Sequence, residues 1–337
     1  MEVDVAGGKT VLNKTLVTGA TGFTGGKVAE RLVKDGHNVV AFVRESSDTS
    51  DLESIDVECR CVDIRDDSDV KRNFAGISRV FHIAAAYRSE HADHGEFHDV
   101  NVEATRNLLE ASVNNSVDRF VHCSTVGVQG EIVDPPASED YRNNPGDHYQ
   151  ESKLEGELVA MEYFRDRLPG CVVRPVGIYG PGDTRFLKLF KPIQKGHFVM
   201  IGKGDVLYHM TYIDDLVDGF MLAGENDAAL GEVFTIAGPE YTTIRELVDT
   251  IADVLERPRP RLRVPFAPVY AASVACDLVC RAIRVNPPLY PRRVEFFELD
   301  RAFSTNKAEL MLGYKPKAGL RDGIARTAAW YRNKGLI

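Results

Sequence analysis

The chain has 337 residues, with 41 basic against 50 acidic side chains and a formal net charge of −9. That balance argues against a nucleic-acid binder, which needs a basic face for phosphates, although it leaves room for a basic pocket that takes a small anion. A hydrophobic share of 44% and a charged share of 27% suit a globular protein of one large or two closely joined domains.

The opening residues, MEVDVAGGKT, have neither a basic n-region nor an apolar h-region, so no signal peptide is read there. KTLVTG (14–19) predicts a strand, and 23–35 a helix. NVVAFVR (38–44), VECRCVD (57–63), RVFHIAA (79–85) and RFVHCST (119–125) predict four further strands, with a long helix at 97–114 before the last of them. YQESKLEGELVAMEYFRDRL (149–168) predicts a second long helix, and CVVRP (171–175) a sixth strand. Strands alternating with helices imply crossover connections, hence an α/β fold: a doubly wound, Rossmann-type parallel sheet covered on both faces. Beyond Pro175 the pattern loosens. Loops with Pro181, Gly182, Gly202 and Gly204 alternate with short helices such as 243–256, and a Pro/Arg-rich stretch (257–265) leads into an apolar helix. PPLYPRRVEFF (287–297) follows. We read residues 10–176 as a Rossmann-type domain completed by strands from later in the chain. Residues 177–337 read mainly as a smaller, interleaved C-terminal substrate lobe.

The nearest approach to a membrane span is 264–280, which is broken by two prolines and Asp277 and falls short of the ~20 apolar residues needed. No integral membrane span is expected, and the chain reads as cytoplasmic. The helix at 266–283 is either a packed helix of the substrate lobe or a peripheral contact for a greasy substrate or a membrane surface. The six cysteines fall on predicted strands and helices, which favours packed free thiols over disulfides or a metal site; no metal is expected.

Between the first strand and first helix stands TGATGFTGGKV, with Gly19, Gly22 and Gly25 at G-x-x-G-x-x-G spacing. The first glycine permits a tight turn, the second lets backbone approach a pyrophosphate, and the third lets helix and strand pack closely. The helix N-terminus then offers N–H groups to phosphate. At the end of the second strand an acid would bond a ribose 2′-hydroxyl, whereas an arginine accommodates a 2′-phosphate. Val43 fills the acid position and Arg44 follows, which tilts the choice between NAD and NADP toward NADP. Arg44 could instead stack on adenine or lie in solvent, with Glu45 serving the ribose. Asp63 could bond the adenine amine or cap the next helix.

Tyr149 and Lys153 lie four residues apart at the start of the second long helix, hence one turn apart on one face. A free tyrosine, with a pKa near ~10, is a poor base, and a nearby ammonium favours its phenolate. Lys153 can also bond the nicotinamide ribose. Tyr149 would take the alcohol proton as hydride leaves, or return it to a ketone. Thr125 closes the fifth strand at the carboxyl edge, where its hydroxyl could align the substrate oxygen. Alternation should turn the adjacent Ser124 to the other face.

With these motifs, the chain resembles the extended short-chain dehydrogenase/reductase family, also called the NAD-dependent epimerase/dehydratase family. The matching segments are TGATGFTGG, VDIRD (62–66), HIAAA (82–86), DVNVEATRNLLEA (99–111), HCSTVGVQG (122–130), YQESK (149–153), RPVGIYGPGD (174–183), YIDDLVDG (212–219) and LGYKP (312–316). The resemblance implies that Gly19, Gly22, Phe23, Thr24 and Gly25 hold the pyrophosphate, and that Asp63 and Ile64 flank the adenine. It implies that Ala84, Ala85 and Asn101 line the nicotinamide side, that Pro175 and Val176 back its ring, and that Thr125, Tyr149 and Lys153 form the catalytic set. It also implies a homodimer through the two long helices.

Two departures bear on the substrate. Nucleotide-sugar members often have an Asn where this chain has Gly177, and an Arg where it has Tyr208, and both usually contact a diphosphate. RPVGIYGPGD and PPLYPRRV are closer to the branch of 3β-hydroxysteroid dehydrogenases, dihydroflavonol reductases and hopanoid-associated epimerase-like proteins. Tyr87, Arg88, Arg185, Tyr208 and Arg292 are candidate substrate contacts, and Lys188, Arg293 and Arg301 add basic groups that could hold a diphosphate by another route.

Three functions follow. A nucleotide-sugar epimerase-like enzyme, with a transient 4-keto intermediate, is placed first because of the family's commonest substrates. The alternative is a one-way NADP(H)-dependent carbonyl reductase or alcohol dehydrogenase on a steroid-, flavonoid- or lipid-like substrate. A non-catalytic dinucleotide-binding redox sensor is a remote third, since Tyr149 and Lys153 are both present.

Overall fold

The structure, a computed structural model, describes residues 13–87, 94–283, 285 and 287–337. Six strands alternate with helices in the first half: β1 (Lys14–Thr18), β2 (Asn38–Val43), β3 (Glu58–Cys61), β4 (Ile77–His82), β5 (Arg119–Cys123) and β6 (Gly170–Pro175). All pair in parallel, in the order β6-β5-β4-β1-β2-β3. Parallel neighbours cannot be joined by a tight turn, so each connection carries helix across a face of the sheet. Side chains alternate between two apolar layers: Leu16, Val40, Phe120 and Val172 face one, and Val17, Ala41, Val121 and Val173 the other. Burial on both faces is why these strands read as unbroken apolar runs.

Beyond β6 come β7 (Gly177–Tyr179), β8 (Met200–Ile201), β9 (Leu207–Tyr212), β10 (Val233–Ile236), β11 (Tyr241–Thr243) and β12 (Arg263–Val264). β10 returns to pair in parallel with β6 and makes the sheet seven-stranded. β9 lies between β7 and β11, and β8 pairs with β12. The YIDDLVDG segment meets the residues just after LGYKP here: the buried Asp215 carboxylate accepts the Lys317 and Ala318 amides at 2.9 and 3.0 Å.

β4 and β5 end earlier than predicted, each for a local reason. β4 stops at His82 because the Ile83 and Ala84 amides turn to the Thr18 hydroxyl, at 3.1 and 3.2 Å, instead of extending the ladder. β5 stops at Cys123 because Thr125 caps a short 3-10 turn, Val126–Gln129. The first long helix runs from His94 to Asn114 and contains one widened π turn, Asp99–Glu103. Strand order reverses between β1 and β4, so their carboxyl ends open a crevice of the kind in which such sheets bind ligands.

Candidate active site

The glycine turn sits at that crevice. Gly19 has φ +71°, and a Cβ there would lie 2.8 Å from the Ala84 nitrogen. A Cβ on Gly25 would lie 2.2 Å from the Gly19 carbonyl oxygen. Gly22, by contrast, is the N-cap of the helix Phe23–Lys34, and it brings no side-chain cap. No acid stands in that helix's first turn, where Phe23 and Thr24 lie. The resulting set of N–H groups at a positive dipole end fits the pyrophosphate of a dinucleotide. The Phe23 ring packs under the YGPGD loop: a Cβ on Gly182 would come 3.1 Å from it, and the Arg185 guanidinium lies 5.8 Å from its centroid.

At the end of β2, Val43 is buried and Arg44 and Glu45 are exposed. Asp63 follows β3. Its carboxylate is held by Arg65 (Nη2–Oδ2 2.7 Å, Nε–Oδ1 2.9 Å), and these hydrogen bonds pull its pKa below the usual range. The next helix, Asp67–Asn73, is capped by Asp66, which accepts from the Ser68 and Asp69 amides. Asp63 is therefore not its N-cap. Ile64 is half-buried, and its carbonyl accepts from Asn107.

Asn101, on the π turn, is buried and ties three segments together. Its Oδ1 accepts the Ala86 amide at 2.9 Å, and its Nδ2 donates to the Ala86 carbonyl at 3.3 Å and to Ser152 Oγ at 2.9 Å. Ser152 belongs to the helix His148–Asp166, which carries Tyr149 and Lys153. That helix comes close because residue 156 is glycine: a Cβ there would lie 2.2 Å from the Asn101 carbonyl oxygen. π turns inside helices occur frequently at functional sites.

Tyr149 is half-buried in the helix's first turn, where Asp147 caps by accepting the Gln150 amide at 2.8 Å. Its ring meets Tyr87 and Phe97 edge-on, at centroid distances of 5.2 and 6.1 Å. Lys153, one turn on, is buried, and its ammonium donates to the Cys123 carbonyl at 2.6 Å. Burial lowers its pKa from the ordinary lysine value. The ammonium has two further protons to donate. Thr125 Oγ1 accepts the Gly127 amide at 3.1 Å and keeps its own proton for donation. Pro175 ends β6, and Val176 is buried just beyond it. Ser124 is buried with its hydroxyl unpartnered.

A polar layer that sequence reasoning missed lies behind these residues. His82 Nδ1 sits 2.8 Å from Thr18 Oγ1 and Nε2 2.9 Å from Thr105 Oγ1, while Thr105 donates to the Asn101 carbonyl. With the Thr105 proton committed, Nε2 is the donor and Nδ1 accepts from Thr18. Burial pushes the His82 pKa down to about 3, helped by the Lys153 charge. His122 faces it across the β4–β5 register, ring centroids 5.3 Å apart, and burial puts its pKa well below the ordinary value too. The available signal was two histidines at equivalent places in neighbouring strands. Deeper still, Arg174 on β6 pairs with Glu157 of the helix His148–Asp166, at 2.5 and 3.0 Å, both buried.

The candidate substrate residues divide. Tyr87 stands against Tyr149. Arg88 lies outside the described residues. Arg185 donates to Asp183 at 2.7 Å and to the Ile178 carbonyl at 3.0 Å, which occupies much of its fork. Arg292 forms an ion pair with Asp147, the N-cap of the helix His148–Asp166. Lys188 and Arg293 are exposed, and Arg301 bridges to Tyr208 along the backbone. A Cβ on Gly177 would fall 3.0 Å from the Tyr208 hydroxyl and 2.9 Å from the His209 carbonyl. Tyr208 in turn packs edge-on against Phe296 at 5.0 Å, and Phe296 against Phe297 at 5.1 Å.

Known proteins agree with this architecture. The model of the NAD dependent epimerase/dehydratase family matches residues 15–237. The chain is 30% identical to the 3-beta-hydroxysteroid dehydrogenase of Mycolicibacterium neoaurum, over 96% of this chain and 92% of that protein. It is 28% identical to sterol demethylase protein B of Methylococcus capsulatus, over 96% and 99%. Among solved structures, the UDP-glucuronic acid 4-epimerase from Bacillus cereus in complex with NAD superposes with a TM-score of 0.75 at 25% identity, covering 95% of this chain and 99% of that one. A chain with this sheet, this glycine turn and these relatives belongs to the NAD dependent epimerase/dehydratase family, in its extended short-chain dehydrogenase branch, and is an NAD-dependent enzyme of the oxidoreductase and isomerase kind.

Proposed function

We infer that this enzyme carries out net oxidoreduction at a secondary alcohol or ketone of an apolar, ring-bearing substrate of steroid or related lipid type. The epimerase-like reading moves to second place. The observation that carries this order is the contact between Gly177 and Tyr208. An Asn at 177 would displace the Tyr208 ring, and no Arg stands at 208. Where nucleotide-sugar relatives often grip a diphosphate, this chain presents the aromatic series Tyr208, Phe296 and Phe297. Arg185 and Arg292, the nearest substitutes for a diphosphate anchor, spend hydrogen bonds or charge on Asp183 and Asp147. The relatives named as 3-beta-hydroxysteroid dehydrogenase and sterol demethylase support the same direction.

In this reading Tyr149 is the acid/base. As phenolate it takes the alcohol proton, and in the reverse direction it protonates the forming alkoxide. Lys153, fixed by the Cys123 carbonyl, lends its charge to the phenolate and donates to the cofactor ribose. Thr125 donates to the substrate oxygen. The bound dinucleotide supplies the hydride acceptor or donor. Gly19, Gly22, Phe23, Thr24 and Gly25 hold its pyrophosphate, Asp63 and Ile64 flank its adenine, and Ala84, Ala85, Asn101, Pro175 and Val176 enclose the nicotinamide. The division between residues 10–176 and 177–337 is part of this reading. So is a preference for NADP(H), supported by exposed Arg44 beyond buried Val43.

The test is to incubate the purified enzyme with NAD or NADP and 3β-hydroxysteroids, following reduced nicotinamide by absorbance, and with UDP-sugars, following inversion at C4. Net oxidation of a sterol with exchangeable cofactor is the expected result. Sugar inversion on retained NAD, with sterols inert, would reverse the order of the two readings.

A further inference from the structure

The helix Phe266–Ala282 is apolar on its exposed face as well as on its packed one. Its outward stripe is Pro268, Ala271, Ala272, Ala275, Leu278 and Val279, all apolar and at the spacing of one helix face. Leu278 is 64% exposed and Val279 59%. Two of its polar side chains turn inward: Ser273 is buried and donates to the Tyr270 carbonyl at 2.7 Å, and Asp277 is half-buried. A water-facing helix normally does the reverse. The apolar surface continues beyond both ends, through Leu262 at 63% exposure, Ile283 at 63% and Val285 at 50%. Among the described residues, five of the eleven exposed large hydrophobic side chains fall between 262 and 285, so this is a patch and not scatter.

The same stretch reverses the chain's charge. Residues 257–294 hold eight arginines and one acid, Asp277, for a net of +7; the total of −9 leaves −16 on the remainder. Arg257, Arg261, Arg263 and Arg293 are exposed. An exposed apolar stripe with arginines on the segments that flank it offers acyl chains and anionic headgroups a surface on the same side of the chain. No helix among the described residues is long and apolar enough to cross a membrane.

We propose that the helix Phe266–Ala282 lies flat on an anionic lipid surface, with Leu278 and Val279 in the acyl boundary and the flanking arginines on the headgroups. A second copy of this chain fits the patch poorly, because a two-fold contact would bring the exposed Arg257, Arg261, Arg263 and Arg293 of one copy toward those of the other. A lipid surface supplies the apolar layer and the negative charge within the same few ångströms. The proposal rests on this surface alone and is independent of the substrate reading.

The experiment is flotation of the full chain with phosphatidylcholine vesicles, with and without a one-third share of phosphatidylglycerol, at low and high salt. Strong flotation with the anionic vesicles that salt weakens is expected. Leu278→Glu with Val279→Glu should lower it about tenfold or more. Arg261→Gln and Arg263→Gln should each lower it about fivefold. All four side chains are solvent-facing, and retained NAD(P)H binding and an unchanged melting temperature verify that the variants fold. Equal partition on neutral vesicles, or no partition on either, would overturn the proposal. So would dimerisation in sedimentation that is lost in the Glu variant without vesicle binding, which would assign the patch to a second copy.

Discussion

Gly156→Ala should damage the enzyme out of proportion to the single methyl it adds. In the middle of an exposed helix this change would stabilise by up to ~1 kcal/mol. Here the new Cβ would sit 2.2 Å from the Asn101 carbonyl oxygen, whereas ordinary contact begins at 3.4 Å. The helix His148–Asp166 must retreat by about 1.2 Å, or the π turn must yield, to relieve the overlap. Either movement stretches the 2.9 Å bond from Asn101 to Ser152 beyond hydrogen-bonding range. Overpacking costs about 1–3 kcal/mol and the lost bond about 1, against the propensity gain, so a net loss of about 1–3 kcal/mol is expected. The helix also carries Tyr149 and Lys153, and a misplacement of ~1 Å at a reacting group can cost ~10²-fold in turnover. Urea unfolding and steady-state kinetics measure the two effects. Gly319→Ala is the control: its Cβ meets nothing within 4 Å and its φ is −64°, so stability should hold within about 1 kcal/mol and turnover should not change. A Gly156→Ala enzyme with wild-type stability and turnover within threefold would refute the idea that this glycine sets the approach of the catalytic helix to Asn101.

Three further outcomes are expected. Tyr149→Phe should bind the dinucleotide as well as the parent, measured by fluorescence titration, yet turn over about 10²–10⁴-fold more slowly; a loss of only a few-fold would remove Tyr149 from the acid/base role. Glu157→Leu strands the buried Arg174 guanidinium and should cost about 3–5 kcal/mol in denaturant unfolding, and a cost under about 1 kcal/mol would mean that Arg174 finds another partner. Stability should also fall on acidification. His82 titrates at about 3 in the folded chain and near 6.5 when unfolded, so below pH 6.5 the unfolded state binds the proton first. The loss from His82 is about 1.4 kcal/mol per pH unit between those values, His122 adds to it in the same direction, and none of it is present above about pH 6.5. Urea midpoints at pH 7 and pH 5 should separate, and His82→Gln should narrow the gap; identical gaps in both proteins would mean that His82 does not carry it.

Much of this was legible in the sequence because the relevant signals are local. Strand and helix periods, the glycine spacing and the four-residue step from Tyr149 to Lys153 each depend on a few neighbouring residues. Strand ends were misjudged where a side chain from elsewhere intervenes. Nothing within RVFHIAA announces that the Thr18 hydroxyl claims the next two amides. The helix at 97–114 was found, but its π turn was not, since that turn answers to Ala86 and Ser152 across the fold. The sequence around Asp63 allows either an adenine contact or a cap, and the fold gives the cap to Asp66. Arg185 and Arg292 were plausible anion binders as isolated cations, and their carboxylate partners appear only once the chain is folded. The Gly177–Tyr208 contact was half visible, as two departures from a pattern whose contact with each other no spacing could reveal.

The late arrival of β10 bears on how the chain is made. β6 is buried along its whole length, and its outer neighbour is supplied only by Val233–Ile236. At synthesis rates of about 5–20 residues per second, the nascent sheet waits on the order of 3–12 s with that apolar edge unpaired. For that interval the Gly170–Pro175 strand is open to any other unpaired strand in reach. Ending the chain soon after Pro175 would make the exposure permanent, so the sheet and the lobe beyond it form one unit of assembly.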